Sequence, residues 1–265
     1  EVVYSIEDID KKVKGKTLNI LRSKKIIVKR GLLKKEINDF YIPYFFSRKN
    51  KMPYVTGKIA VTKNNLIYSK GIKKITDLQT DKLTHFLRYK NDSLMITYKT
   101  LNKDNPKLNC RIKGFNKYSP IRVVLDNNLN TKTSSYIFKT SNRRNTLIFY
   151  HDALRSKVLR FQKKKIQLIK SKIYKNKQFD FKILLKKLYN LGCRNLLIEG
   201  GDELTRFLLK SKIFNQFFLY KSPKNILKSS EYLKFSSFKL LKHMYKNKVI
   251  LDSSFSKDRI TLYKN

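Results

Sequence analysis

Short, wholly apolar runs recur along this chain between amphipathic segments, and that alternation constrains the fold more than any other feature. Val123-Val124-Leu125 and Leu196-Leu197-Ile198 are two such runs. The spacing predicts strands over Tyr54–Val61, Ser93–Thr97, Ile121–Leu125, Thr146–Tyr150, Leu196–Ile198 and Gln216–Tyr220. Helices are predicted between them over Asp77–Tyr89, Ala153–Lys163, Lys182–Leu191 and Asp202–Leu209. Strands that alternate with helices make an α/β domain with a mainly parallel central sheet. Val249–Ser253 and Arg259–Tyr263 read as an antiparallel hairpin that closes it.

Ahead of that domain lies a smaller α/β piece. Val2–Ser5 and Lys25–Lys29 read as strands, and Thr17–Ser23 and Leu32–Phe40 as helices. The polar, basic stretch 46–51 is the expected boundary, which divides the chain into 1–48 and 52–265. Glu1 leads directly into a strand, so the N-terminus is expected to be a cut end.

The chain carries 61 Lys and Arg against 19 Asp and Glu, a formal charge of +42. A surface of that sign draws in anions and binds nucleic acid non-specifically, in a salt-dependent way. The basic residues are mostly Lys and are spread along the whole chain, without an arginine-rich arm or an RNA-binding aromatic signature. Hydrophobic residues make up 41%, which excludes a disordered polycation. No apolar run approaches the roughly 20 residues of a membrane span, and a cytoplasmic location is expected. Cys110 and Cys193 stand far apart and read as free thiols, and no His or Cys spacing suggests a metal.

Three constellations can carry chemistry. In Glu199-Gly200-Gly201-Asp202 an apolar strand runs into two glycines and a helix start, the arrangement by which a backbone approaches a phosphate. The plain alternative is a strand-to-helix turn. Arg88 and Arg111 flank the rigid loop Asp104-Asn105-Pro106, where they can clamp a phosphate or stand as solvated surface. Lys58 interrupts a strand and Asp126 ends one. Each is either a ligand candidate or, respectively, a solvent-facing lysine and a turn cap.

In their order, these pieces resemble the reductase domain of the bifunctional riboflavin-biosynthesis deaminase/reductases. The resemblance rests on Pro53-Tyr54-Val55-Thr56-Gly57-Lys58-Ile59-Ala60, Ile75-Thr76, Leu87-Arg88, Thr100 and the 104–111 loop with its Asp, Pro, Leu and Arg. It continues through Pro120-Ile121-Arg122-Val123-Val124-Leu125-Asp126, the Glu-Gly-Gly turn at 199–201 and the segment from Tyr220 to Lys224. Glu1–Gly31, with Asp8, Gly15 and the Lys25–Gly31 strand, is similar to the last strands of the deaminase domain, so the likeness covers nearly the whole chain.

The resemblance implies a dihydrofolate-reductase-like fold and NADPH-dependent reduction of 5-amino-6-(5-phosphoribosylamino)uracil to its ribitylamino form. It implies that Gly201, Asp202, Glu203, Leu204, Thr205, Arg206 and Phe207 cradle the cofactor phosphates, with Ala60, Thr100, Asp104 and Asn127 touching other parts of NADPH. Arg88, Leu108, Arg111 and Glu199 would hold the phosphorylated aminopyrimidine, the arginines on its phosphate. Lys58, Glu199 and Asp126 would carry catalysis, with Lys58 acting on the ring oxygen as the sugar opens. A homodimer is implied, as is an upstream deaminase domain where the natural chain is longer. The zinc signature of that domain is absent from this sequence, so neither zinc binding nor deamination is expected of it.

The sequence departs from the family pattern at Thr62-Lys63-Asn64-Asn65 and at Lys73-Lys74, beside both expected ligands. Asp202 and Arg206 replace small or neutral residues in the phosphate turn. Those departures leave open a degenerate or different-substrate NADPH-binding homologue, and the charge leaves open a basic nucleic-acid-binding protein.

Overall fold

Strands that are apolar on both faces need a covering layer on each, and the computed structural model shows how the chain supplies two. It describes residues 1–10, 12–72, 74–142, 145–174, 177–251 and 256–264. In chain order the elements are β1 (Val2–Tyr4), α1 (Lys16–Ser23), β2 (Val28–Arg30), α2 (Lys34–Asn50), β3 (Tyr54–Val61), β4 (Leu66–Ser69) and α3 (Leu78–Tyr89). Then come β5 (Ser93–Thr97), α4 (Tyr98–Asp104), β6 (Ile121–Leu125), α5 (Tyr136–Lys139), β7 (Thr146–Tyr150), α6 (Arg155–Lys163), β8 (Gln167–Lys170) and α7 (Phe181–Asn190). The chain closes with β9 (Asn195–Ile198), α8 (Asp202–Lys210), β10 (Gln216–Lys221), β11 (Tyr232–Lys234), α9 (Phe238–Met244), β12 (Asn247–Leu251) and β13 (Arg259–Lys264).

Nine strands form one sheet in the order β12-β13-β10-β3-β9-β5-β6-β7-β8. The seven from β10 to β8 run parallel, and β13 and β12 close one edge as an antiparallel hairpin. The α/β architecture with a mostly parallel sheet and a C-terminal hairpin is therefore the one expected. β12 ends at Leu251; Asp252 and Ser253 of the anticipated strand lie outside the described residues, as does Lys73.

Side chains alternate between the two faces along each strand, and the core divides accordingly. Val55, Ile59, Val123, Leu196, Ile198, Phe217 and Leu219 pack on one side with Leu184 and Leu188 of α7, Leu204 and Leu208 of α8 and Leu241 of α9. Leu94, Ile96, Val124, Ile148, Leu197, Phe218 and Tyr220 pack on the other with Leu87 of α3, Leu101 of α4 and Phe161 of α6. Lys58 and Ala60 fall in the alternation on this second face, the α3 side.

The first fifty residues add a two-stranded parallel sheet, β1 with β2, apart from the large one. β2 begins at Val28, later than expected, because Lys25 takes a left-handed backbone (φ 56°). α2 runs on through the polar 46–50 stretch and stops at Lys51, also left-handed, so a helix occupies the segment that composition alone marked as a linker. Arg48 at its end pairs with Asp10 of the preceding loop.

Gly57 in β3 is the tightest backbone position of the sheet. A Cβ there would stand 2.3 Å from Phe217 and 2.7 Å from Phe214. Those two rings are buried and packed edge-to-face at 5.2 Å, with no room to retreat. Gly57→Ala is expected to cost about 1–3 kcal/mol by overpacking, read as a lower denaturant midpoint at unchanged slope.

Candidate active site

The C-terminal ends of parallel strands are where an open α/β sheet holds its ligands, and the candidate residues gather along that edge. β3, β9, β5 and β6 lie side by side. Ala60, Gly201, Thr100 and Asn127 sit on or just beyond their ends, in that order across the sheet.

Topology sets the centre of the site. The chain passes from β3 through β4 and α3 to β5, skipping the place that β9 fills, so α3 lies over β9. Gly57 pairs with Ile198, so Lys58 and Glu199 follow next to each other in register. Alternation turns Glu199 to the same face as Leu197, toward α3. Side chains on a helix tilt toward its N-terminus, which carries Arg88 from the last turn of α3 back to the strand edge. There its Nε and Nη2 donate to the two carboxylate oxygens of Glu199, both at 2.8 Å. Nη1 donates to the Asn109 carbonyl at 3.2 Å. The pair is buried, with side-chain exposures of 10% and 17%.

Burial by itself would raise the Glu199 carboxyl, but Arg88 against it, with help from Lys58, brings it down to about 2. The Lys58 amine is lowered too, chiefly by its burial and also by Arg88, while Glu199 raises it. Its Nζ stands 4.9 Å from the centre of the Tyr220 ring. His85, one turn before Arg88 on α3, accepts the Arg111 backbone N–H at Nδ1 (3.3 Å). Burial, Arg111 and Arg88 lower it to about 4, so its imidazole is neutral at pH 7.

Several expected roles are corrected by this geometry. Arg88 is spent on Glu199 and Asn109, so it is a buried partner and not a free phosphate clamp. Arg111 remains exposed, its Nη1 on the Asn109 side chain at 3.2 Å. It shares a cleft of about 470 Å³ with Lys82, His85, Phe86 and Lys113. Leu108 is 1% exposed and packs in the core, so its side chain cannot touch a ligand. Leu204 and Thr205 of α8 are buried as well, and can offer only backbone.

Asp126 is fully buried, its oxygens accepting from the Asn130 and Thr131 N–H groups and the Thr131 hydroxyl at 2.7–2.8 Å. It fixes the loop after β6 and lies three strands from β3, roughly 14 Å at the usual strand spacing, too far to share a reacting centre with Lys58. Asn127 donates to the Lys177 carbonyl at 2.8 Å. Thr100 sits in the first turn of α4, its N–H on the capping Thr97 hydroxyl, and Asp104 ends that helix exposed.

The glycine turn has the form expected of a phosphate cradle. Nothing lies within 4 Å of where a Gly201 Cβ would be, whereas one on Gly200 would meet Leu204 at 3.0 Å. The first helical N–H of α8 to find a backbone partner is that of Thr205, on the Gly201 carbonyl. The preceding N–H groups of Asp202, Glu203 and Leu204 have no backbone partner, as helix starts leave them. The acidic first turn is neutralised locally. Asp202 accepts from the Ser236 N–H and hydroxyl, the Ser237 hydroxyl and Arg206 (2.5 Å), so Arg206 is engaged and Phe207 packs inward against Phe181. Glu203 pairs with Lys99 at the surface.

The altered turn after β3 is closed by its own bonds. The Thr62 hydroxyl donates to Asn64 (2.6 Å) and accepts from the Leu66 N–H (2.8 Å), and Asn64 donates to the Ile226 carbonyl (2.7 Å). Lys74, just beyond it, pairs with Asp81 of α3 at 2.7 Å. Sequence reasoning missed His85 and Tyr220. The spacing of His85 to Arg88, three residues on one helix face, was the available signal for the first.

Comparison with known proteins places these observations. The family model described as the RibD C-terminal domain matches residues 57–227. A "Riboflavin biosynthesis protein RibD" of Actinobacillus pleuropneumoniae is 30% identical over 226 residues, covering 84% of this chain and 59% of that protein. The 5-amino-6-(5-phosphoribosylamino)uracil reductase of Buchnera aphidicola is 29% identical over 163 residues, covering 57% of this chain and 75% of its own. The solved structure of Acinetobacter baumannii RibD superposes with a TM-score of 0.80 at 18% identity, over 99% of this chain and 72% of that one, a likeness of fold. The chain spans about three fifths of the length of the RibD relatives it matches.

The carboxylate of Glu199 sets the acid stability of the site. Its folded value lies below that of an unfolded glutamate, so its contribution is complete above roughly pH 4.3. That contribution is lost as pH falls through about 2. It amounts to on the order of 3 kcal/mol. The stability gap between the native chain and Glu199→Gln is expected to shrink by that amount between about pH 5 and 2, measured by denaturant unfolding across pH. Arg88→Met, which strands the carboxylate, is expected to cost about 3–5 kcal/mol at neutral pH.

Proposed function

From the premise that this chain belongs to the RibD C-terminal domain family, we propose that it reduces 5-amino-6-(5-phosphoribosylamino)uracil to the ribitylamino form with NADPH. What supports this most is the convergence of Lys58, Arg88 and Glu199 beside a glycine turn that opens a helix. The chemistry named for the Buchnera relative needs those parts: an acid, a charged anchor and a phosphate cradle.

The residues present fit the cofactor. The empty space over Gly201 and the backbone N–H groups of Asp202, Glu203 and Leu204 suit its phosphates, with Ala60, Thr100 and Asn127 along the same edge. When bound, NADPH supplies a hydride to the sugar C1′. The chain's own side chains do the rest. Arg111, with Lys82 and Lys113 in the same cleft, takes the substrate phosphate. Glu199, fixed by Arg88, offers an ionised carboxylate to the polar substrate. Lys58 gives its proton to the ribose ring oxygen as the C1′–O bond breaks and the exocyclic nitrogen forms a double bond to C1′. The amine then recovers a proton from water.

Residues 1–48 belong, in this proposal, to the end of a deaminase module, consistent with a small sheet separate from the large one.

Substrate-dependent NADPH oxidation is the direct test, with NADH in parallel. Lys58→Ala is expected to lower kcat by about 10²–10⁴ with NADPH binding kept. Full turnover by that variant would remove Lys58 from the mechanism. Failure to oxidise NADPH with the substrate present would remove the activity itself.

A further inference from the structure

We propose that Tyr220 is a positioning residue for Lys58, its ring face holding the ammonium head at the strand edge beside the Arg88–Glu199 pair. The inference rests on the role given above to Lys58 as proton donor. Phe218 of β10 is paired with Lys58 of β3, and Tyr220 with Ala60, so Lys58 and Tyr220 are diagonal neighbours on one face. Ala60 between them is small, which lets the lysine chain lean along the strand until Nζ lies 4.9 Å from the ring centre. Among the described residues Lys58 makes no salt bridge and no hydrogen bond, and both oxygens of neighbouring Glu199 accept from Arg88. A buried ammonium without a direct counter-ion needs another source of negative potential, and an aromatic face is one.

The tyrosine hydroxyl does not explain the residue. It is buried against the Thr84 hydroxyl of α3, which donates to the Thr80 carbonyl at 3.3 Å, so its polar contact is with α3 and not with Lys58. The useful part is the ring. The other charged groups that face Lys58 are Glu199 at the end of β9, Arg88 and Asp81 on α3, and Asp258 ahead of β13, while His85 of α3 faces the Arg88–Glu199 pair. Arg88 opposes the ammonium, and the three carboxylates favour it, Glu199 most. The ring is the contact that directs the head group as well as stabilising its charge.

Trace acetylation of the full chain across pH, read at the Lys58 peptide by mass spectrometry, follows this amine whether or not the enzyme turns over. In Tyr220→Leu the labelling midpoint is expected to fall by about half to one pH unit, and the pH profile of kcat/KM to move the same way. Tyr220→Phe keeps the ring and is expected to keep the midpoint. Replacing residue 220 with 3,4,5-trifluorophenylalanine keeps the volume while draining the ring face, and is expected to shift the midpoint as leucine does. That variant decides the matter if Tyr220→Leu does not fold. An unmoved midpoint with the fluorinated ring would overturn the proposal, even if turnover falls. A shifted midpoint with turnover insensitive to Lys58→Ala would keep the contact and sink the catalytic reading on which its purpose rests.

Discussion

The Arg88–Glu199 ion pair is the interaction on which the rest of the site depends. Two opposite charges taken out of water are tolerated only when geometry is good and the remaining donors find partners. Here both carboxylate oxygens are used and the third guanidinium nitrogen reaches a backbone carbonyl. The pair ties the last turn of α3 to the end of β9, and Asn109 ties the same arginine to the loop that carries Arg111. The strand edge, the covering helix and the cleft with its basic residues are thereby held in one frame. An arginine read from sequence as a phosphate ligand is instead what keeps a carboxylate ionised inside the protein.

The sheet gives that pair its setting by putting different work on its two faces. On one side α7, α8 and α9 bury apolar residues, and α8 begins just beyond the end of β9 without a side-chain cap. On the other, α3 brings Arg88 and His85 over the strand ends, where Lys58 and Glu199 interrupt an otherwise apolar surface. The glycine turn and Lys58 can be neighbours without competing for space, because α8 packs beneath the sheet and α3 above it. Gly57 makes this possible locally: the position before Lys58 has no room for a side chain on the α8 face.

Much of this was legible in the sequence because burial of parallel strands writes itself as unbroken apolar runs. β5, β6, β7, β9 and β10 could all be read that way, β3 despite Lys58 within it, and so could α3, α7 and α8 from their spacing. β4 and β11 could not, since each is short and owes its existence to the other across a long stretch of chain. α4 escaped notice because seven residues capped by Thr97 leave too little periodicity to detect. Site residues were legible as types, not as partners. Glu199 and Arg88 stood out singly, but nothing local says that residues 111 positions apart will share one bond. Leu108 and Asp126 show the complementary limit: one is buried in the core and the other caps a loop, and sequence cannot separate either from ligand contact.

The departures at 62–65 and 202–206 take on a different meaning once their hydrogen bonds are known. A drifting loop loses internal partners, leaving polar groups to water. Thr62 and Asn64 instead bond each other, the start of β4 and the Ile226 carbonyl. Asp202 and Arg206 form, with Ser236 and Ser237, a clasp that joins the start of α8 to the start of α9. In both places the unusual residues supply each other's partners, as a compensated replacement does. The same clasp neutralises the carboxylate of Asp202, so the helix start carries less negative charge than its sequence suggests.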